Sequence, residues 1–598
     1  MAASDDGLDT LLTQLGIGRW TYLHFAASTM VPALLPTFLI GSEFINPTPS
    51  FTCNIPEDNF TFPVNGSECS MLHVEEGEAV TVPCSSFTYD TSVFHSTVST
   101  EWDLVCKNEF LSPLFQTIYT AGCFVGSILG GVAANRYGRR WAVRVGAVMT
   151  VFWAAILSIS PWLILVFASR FILGIFNTIM VYPAFMLTME VCVPYLRSTV
   201  GVLLALPYAI MMIVLAGIAY GIRDWRILQA VGSIPSLLLV PLAFLVDESP
   251  RWLLVNGHLD ETVKVLERAA ALNRSDRGEL PPIEAAVNKI HDRLSGSKPT
   301  AARHSAESPN PATQHPDGLQ NGVSVDRAEG TSGVNKPLGI ADGFGAWWAG
   351  PVALVRTGVM RRLSLVLVVI WLLQGIVYLG LPLSANAFSS PFLYMALMGA
   401  VEVPAYSVSA PITQRLGRRP VICFCLISCG LLLLSLLLLE MYGIKEEWVD
   451  LLLVLLSYLM VCTSYQVNFL YAPELLPTTI RPWGTAMCTL SAYIGFSIPP
   501  FITDYLAYSY PWLPSAVFGC SAFVAGLLVT FLPETNGKPM METVADLQLR
   551  LSKNSLQHKS NEIKLSISGV KSHSGEKNFT QVVRVKKNWT DNYDAKDV

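Results

Sequence analysis

Charge is scarce in this 598-residue chain: 40 Lys and Arg against 45 Asp and Glu, together 14% of the residues. A soluble globular chain carries about a quarter of its residues as charges, so a surface facing mostly water is excluded. No G-x-x-x-x-G-K-[ST] loop occurs. Without that cradle for nucleotide phosphates, a pump driven directly by nucleotide has no visible site. His/Cys spacing suited to a metal is missing as well, since "CFC" at 423–425 lies inside an apolar run. No basic domain is present to grip nucleic acid. These absences argue against an enzyme, a cofactor or a resident metal. A secretory leader is also excluded, because acids precede the first apolar run and no small-residue cleavage pattern follows it.

What the chain has instead is apolar length. It is 52% hydrophobic, and a bilayer-spanning helix needs about 20 consecutive, mostly apolar residues. Such runs centre on 20–40, 113–134, 142–160, 162–188, 199–221, 227–246, 363–383, 391–413, 420–439, 450–469, 484–505 and 513–532. They predict an all-α polytopic membrane protein with twelve transmembrane helices in two six-helix halves. Basic residues sit in cytoplasmic loops. Arg136, Arg139, Arg140 and Arg144 lie between runs two and three, and Arg415, Arg418 and Arg419 between runs eight and nine. The segment between runs one and two is the opposite, holding ten acids and a single base, Lys107, over 41–108. Both termini are therefore expected in the cytoplasm and loop 41–110 outside. "GIRDWR", with Arg223 and Arg226 in an outside loop, runs against the rule.

Four of the twelve cysteines, Cys53, Cys69, Cys84 and Cys106, fall in that first loop. In an oxidising compartment they predict two disulfides, with three pairings open. Asn59-Phe-Thr and Asn65-Gly-Ser in the same loop are acceptor sequons for glycosylation, whereas those at Asn273, Asn578 and Asn588 fall on the cytoplasmic side and stay bare.

The predicted organisation is a cytoplasmic N-terminus (1–19), a first half (20–246), a cytoplasmic helical loop (247–295), a linker (296–345), a second half (346–533) and a cytoplasmic tail (534–598). In the helical loop, Trp252, Val255, Leu259, Val263, Leu266 and Ala270 recur at three- and four-residue steps, an amphipathic pattern. The linker is rich in Pro, Gly, Ser and Asn, a composition that predicts disorder.

The halves repeat each other. Arg-x-Gly-Arg-Arg closes run two (Arg136–Arg140) and run eight (Arg415–Arg419). Glu, six residues, then Arg, with a Pro between, follows run four (Glu190–Arg197) and run ten (Glu474–Arg481). Parallel six-helix repeats are a transporter architecture. Glu190, Arg197, Glu474 and Arg481 are placed to pair with the arginines of the two Arg-x-Gly-Arg-Arg loops, as gating contacts between rocking half-bundles.

"STEWDLVC", "NRYGRR", "RFILG", "EVCVPYLR", "DESPRWLL", "RLGRR", "APELLPTTIRPWG" and "LPETNGKPM" occur in an order that resembles the major facilitator superfamily. Within it, the chain is similar to the organic ion transporters of solute carrier family 22, which carry organic cations, carnitine and organic anions. The resemblance spans nearly the whole chain. It implies the major facilitator fold and a secondary transporter that moves small organic ions by alternating access, in the plasma membrane.

Polar groups inside a span must face a cavity or a partner. Those here are Gln116 and Tyr119 (run two), Arg170 (four), Tyr208 (five), Trp371, Gln374 and Tyr378 (seven), Glu402 (eight), Gln466 and Asn468 (ten) and Tyr493 (eleven). Arg170 reads as structural. The others, Asn468 aside, are the candidate substrate-binding set. Glu402, in an "EVP" motif, is the candidate counter-charge for a cation, and the aromatic rings offer faces to a positive nitrogen. The resemblance puts Asp (cation carriers) or Arg (anion carriers) where Tyr493 stands, and a lysine of some cation carriers where Thr178 stands. A cavity so short of charge favours cations or zwitterions over dianions. The resemblance also puts Asp where Asn135 stands, which implies a cytoplasmic latch lacking its usual acid. The glycines at 126, 130 and 131 are expected to let run two approach a neighbouring helix. The partners implied are a small organic ion and the lipid bilayer; no pattern names a coupling ion or exchanged solute. The rival reading is a receptor-like member of the same fold that binds an extracellular ligand through its glycosylated loop, with little transport.

Overall fold

The computed structural model describes residues 7–54, 61–63, 69–75, 78–84, 86–273, 282–296, 352, 354–444, 446–477 and 480–537. Asn59, Asn65, the predicted linker after Gly296 and the tail after residue 537 lie outside them. The elements below belong to one compact unit. Among the described residues, eleven helices are long and apolar enough to cross a bilayer, and the 17-residue apolar helix Leu513–Val529 stands in the twelfth position.

A short helix, α1 (Gly7–Leu15), precedes the first half. That half contains α2 (Arg19–Leu39), α3 (Leu111–Tyr137), α4 (Arg139–Ile159), α5 (Leu163–Val191), α6 (Leu206–Gly221) and α7 (Trp225–Leu245). After α8 (Leu259–Asn273) and α9 (Ile283–Gly296) comes the second half: α10 (Gly358–Gly380), α11 (Pro391–Leu416), α12 (Arg418–Met441), α13 (Glu447–Leu475), α14 (Arg481–Phe496) and α15 (Leu513–Val529). In the first half α2 packs on α6, α3 on α5, and α4 on α7; in the second, α10 packs on α14, α11 on α13, and α12 on α15. The pairing scheme thus repeats six spans later, which is the major facilitator architecture. The halves meet where α6 packs on α11 and α3 on α14.

The α3–α5 seam is tight because glycine lines it. A Cβ on Gly126 would lie 2.4 Å from the Ile175 carbonyl oxygen, and one on Gly130 3.0 Å from the Ile179 Cα. Gly131 differs from expectation. One residue further round the helix, it has nothing within 4 Å of such a Cβ and takes no part in the approach.

The first loop folds on itself. Strand β1 (Phe51–Asn54) pairs antiparallel with β5 (Ser86–Tyr89), while β2 (Thr61–Pro63), β3 (Ser70–Glu75) and β4 (Glu78–Pro83) form a second sheet in that order. The disulfides are Cys53–Cys84 and Cys69–Cys106. The dissenting arginines of "GIRDWR" are explained here. Arg226 pairs with Glu101 of the loop and donates to the carbonyls of Ser158 (3.1 Å) and Ser160 (2.7 Å). Arg223 donates to the Ser92 carbonyl at 2.9 Å. Their charges tie this end of the bundle to an acidic loop.

At the opposite end, Leu8, Leu11, Leu12 and Leu15 of α1 bury against Leu266, Ala269 and Ala270 of α8 and Val287 and Ile290 of α9. The helical pattern of 252–270 is broken once. Val255 is exposed because Gly257, at φ +80°, ends the short helix Pro250–Val255 and resets the phase before α8.

Candidate functional site

Glu402 is the twelfth of the 26 residues of α11 and is fully buried, so roughly half the helix separates it from either end. One carboxylate oxygen, Oε1, accepts from the hydroxyls of Tyr406 (2.6 Å), Tyr378 (2.8 Å) and Tyr458 (3.4 Å). Tyr406 is one helical turn on and shares the face of Glu402; Tyr378 comes from α10 and Tyr458 from α13. The other oxygen, Oε2, is buried without a partner. From Tyr378 a chain of aromatic rings runs on between α10 and α13. Tyr378 stacks on Tyr465 at 4.4 Å, Tyr465 meets Phe469 edge-on at 5.1 Å, and Trp371 meets Phe469 at 4.9 Å. Tyr208, from the first half, reaches this cluster beside Tyr378. The Trp371 indole nitrogen is buried and unpartnered. Buried polar groups are seldom left unpaired. A buried carboxyl oxygen without a partner, beside a cluster of tyrosines, is chemically suited to a positive nitrogen.

Most other candidates have their polar atoms engaged. Gln374 donates to Ser464 at 2.6 Å and accepts from Asn468, tying α10 to α13. Gln466 is half-buried. The Tyr493 hydroxyl lies 3.4 Å from that of Tyr182, across the two halves. Thr178 bonds within its own helix, to the Gly174 carbonyl at 2.9 Å. Arg170 is completely buried and draws in two of the candidates. It donates to Gln116 Oε1 (2.6 Å) and the Phe38 carbonyl (2.8 Å), with its guanidinium 4.3 Å from the Phe115 ring centre and 4.7 Å from that of Tyr119. Gln116 also donates to the Leu39 carbonyl at 2.6 Å, and the Tyr119 hydroxyl accepts from Asn177 at 3.1 Å. Arg170 is therefore the tie between α2, α3 and α5.

The repeated motifs meet within each half. Glu190 pairs with Arg139 and Glu474 with Arg418, both at 3.2 Å. A carboxylate absent from the expected set closes each motif. Glu248 Oε1 accepts from the main-chain N–H of Arg139 (2.8 Å) and Oε2 from that of Arg140 (3.1 Å). Glu534 accepts from those of Arg418 (3.0 Å) and Arg419 (2.9 Å). Each glutamate caps the start of a helix, where orphan N–H groups attract an anion. Burial raises the Glu248 carboxyl above its usual range, against the pull of these N–H bonds. Arg197 and Arg481 do not join the Arg-x-Gly-Arg-Arg loops. Arg197 pairs with Asp9 of α1 (2.7 Å), as does Arg251 (2.8 Å), and Arg481 donates to the Leu476 carbonyl at 3.4 Å. The physical reason is that guanidinium cations repel one another, so Arg197 turns to an acid and Arg481 to a carbonyl. Arg136 and Arg415 are exposed; so is Asn135, whose main-chain carbonyl accepts from the Trp252 indole at 3.1 Å. Among the described residues no recorded salt bridge joins one half to the other.

A sequence profile described as "Sugar (and other) transporter" matches residues 76–305 and 354–547, most of the chain. The chain belongs to that family. It is a multi-pass membrane protein and a secondary transporter, not an enzyme. Its relatives include the organic cation transporter-like protein of Drosophila melanogaster, 25% identical with 90% of this chain and 92% of the relative covered. Solute carrier family 22 member 6 of Mus musculus is 28% identical over 82% and 80% of the two chains. Member 20 of the same mouse family is 28% identical over 92% and 96%. Among solved structures, the xylose transporter XylE from E. coli in its inward open conformation superposes with a TM-score of 0.57 at 15% identity, covering 87% of this chain and 97% of that one. That likeness establishes the fold alone.

Four residues of the Glu402 cluster and its chain of rings, Tyr406, Tyr458, Tyr465 and Phe469, escaped sequence reasoning. Tyr406 carried a usable signal, since a tyrosine four residues after a buried carboxylate shares its face. Tyr458 and Tyr465 lie seven apart, two turns on one face of α13, but nothing local says which helix they face. Glu248 and Glu534 sit in "DESPR" and "LPETN", each at the end of a half, a repetition that could have been read with the other two.

Proposed function

We propose that this transporter moves small organic cations or zwitterions across the plasma membrane by alternating access, with the end carrying the first loop outside and both termini in the cytoplasm. The observation that carries the reading is Glu402, whose Oε2 is buried and unpartnered while three tyrosine hydroxyls hold its Oε1. Among the described residues no second charged side chain contacts Glu402, so a dianion finds no counter-charge there. The names of the Drosophila relatives, organic cation transporter-like protein and organic cation transporter protein, point the same way.

Uptake of radiolabelled tetraethylammonium and carnitine into oocytes expressing the chain tests it, with glutarate as the dianion. Tetraethylammonium or carnitine should accumulate above control and glutarate should not. Glu402→Gln should abolish the accumulation while surface biotinylation stays at the wild-type level. Unchanged uptake by Glu402→Gln removes the counter-charge role. No uptake of either positive substrate by a protein proven to be at the surface overturns the reading.

A further inference from the structure

The joint between the halves at the loop end is made largely of uncharged groups. Thr117 and Thr120 of α3 meet Ser497, and Phe44 stacks on Phe392 at 5.5 Å. One member differs. Glu43 belongs to a single helical turn, Ser42–Ile45, that follows α2, and it is 3% exposed. Its Oε2 accepts from the side-chain amide of Asn386 at 2.9 Å, and its main-chain carbonyl accepts from the same amide at 3.3 Å. Asn386 follows α10, in the second half. A carboxyl group is therefore buried in the seam and tied to the opposite half.

Its surroundings offer no positive charge. The groups that bear on it are Asp504 and the phenol of Tyr394. Asp504 belongs to the second half, on a short π-helical turn (Phe501–Leu506) after α14. Tyr394 is on α11 and donates its hydroxyl to the Leu381 carbonyl at 2.6 Å. The Ser42–Ile45 turn also packs against α2, α7 and the turn Pro382–Ala387. Pro382–Ala387 holds no charged residue. The charged residue of α7, Arg226, is taken by Glu101. Arg19 and His24 of α2 stand in the first turns of that helix, toward its other end. The cavity that Glu43 and Asp504 line adds the acids Glu109, Glu440, Glu447 and Asp450, with no Lys, Arg or His.

An ionised Glu43 so placed lacks a counter-charge and confronts Asp504 across the joint. Burial, then the charge of Asp504, raises its carboxyl well above the ordinary 4.5. When the halves part, water reaches the group and the ordinary value returns. The closed joint thus binds more protons than the open one. The advantage this gives the closed form is complete below the open-form value and is lost as pH rises through the raised one.

We propose that Glu43 and Asp504 form a proton-controlled latch on the loop-end gate. Neutral Glu43 lets the halves close over Asn386, and its ionisation sets two negative charges against each other across the joint and drives them apart. Acid on the loop side holds the gate shut, and alkali releases it. The latch rests on the alternating access proposed above and not on the substrate.

Double electron–electron resonance on the purified full chain in nanodiscs tests it, with one buffer bathing both faces. Spin labels go on Trp162→Cys in the first half and Tyr442→Cys in the second, both exposed at the loop end. The background is Cys520→Ser, because that thiol is exposed, and each single-label variant measures stray labelling. From about pH 5.5 to about pH 8.5 the ratio of long to short separations should rise, by about tenfold per pH unit at the steepest, the slope of one proton. Re-acidification should reverse it. Glu43→Gln should keep the short separation throughout. Asp504→Asn, with one charge gone, should narrow the total change several-fold, and gel filtration checks that both variants stay monodisperse. A distribution that does not move with pH overturns the proposal, as does movement that survives unchanged in Glu43→Gln. An undiminished response in Asp504→Asn overturns the pairing of the two acids. Uptake is not part of the readout, so a failure of Glu402 as counter-charge leaves this result standing.

Discussion

At the scale of single residues, two buried charges have opposite fates. Arg170 has its donors met by a carbonyl and a glutamine, and its flat face met by two rings. Glu402 has one oxygen held by tyrosines and the other left open. A satisfied buried charge builds structure, and a half-satisfied one is poised for a ligand. The difference gives separable predictions. Arg170→Lys keeps the charge but loses the planar fork. It should destabilise the purified protein by about 3 kcal/mol, the scale for breaking a buried charge network, seen as a lowered melting temperature; an unchanged melting temperature would show that the tie is dispensable. Tyr378→Phe leaves the fold in place and frees Oε1 from one donor that fixes the carboxylate's orientation. Its expected effect is a several-fold rise in KM for tetraethylammonium uptake with normal surface expression, and an unaltered KM counts against the orienting role. Both charges were legible in the sequence, because a charge within an apolar run stands out. Their partners were not, since Phe38, Tyr378 and Tyr458 reach them only through packing of distant helices.

At the scale of elements, the Arg-x-Gly-Arg-Arg motif is a helix start as much as a cluster of charges. Gly138 and Gly417 adopt φ of +95° and +93°, a conformation that side chains rarely take. That turn brings the Glu248 and Glu534 carboxylates onto the first N–H groups of α4 and α12. Glu248→Ala should cost about 1 kcal/mol as a lost cap. Gly138→Ala should cost more, since its Cβ would lie 2.2 Å from Glu248 Oε2 in a strained backbone. Thermal melts rank the two, and equal or smaller loss for the glycine variant contradicts the turn argument. The α1 helix gives a pH-dependent case. Burial raises the Asp9 carboxyl, but the hydrogen bonds and charges of Arg197 and Arg251 outweigh it and hold the group below its ordinary 3.8. A folded value below the unfolded one means that the stabilisation is complete above the ordinary value and is lost as pH falls through the lowered one. Wild type should therefore melt above Asp9→Asn at pH near 7, and the gap should close under strong acid. A gap that persists in acid would assign the effect to packing. The repeats themselves were plain in the sequence, but Asp9 was not. A lone acid in a short N-terminal helix gives no sign that it will meet two arginines about 190 and 240 residues later.

At the scale of the whole molecule, the twelve-helix, two-half plan was legible because each span must be apolar over its own length and the motifs recur six spans apart. How the halves touch was not legible, because small hydroxyls and rings without periodicity make the contacts. At the loop end Thr120 and Ser497 meet at 2.9 Å, Thr117 donates to the Ser497 carbonyl at 3.2 Å, and Phe392 of the second half packs among Phe44, Phe94 and Tyr220 of the first. At the motif end, among the described residues, no recorded charge pair joins the two halves. The bundle is thus fastened at the first-loop end, and alternating access requires that fastening to open once per cycle. Thr120→Cys/Ser497→Cys places two thiols across the joint, and an oxidant should link them. Linked protein should still bind tetraethylammonium from the motif end in inside-out vesicles yet fail to carry it across, and reductant should restore uptake. Each single-cysteine variant, exposed to the same oxidant, controls for the native free thiols. Uptake that continues at the wild-type rate in fully linked protein would mean that substrate crosses without parting the halves at Thr120 and Ser497, and the rocking mechanism would have to be abandoned for this chain.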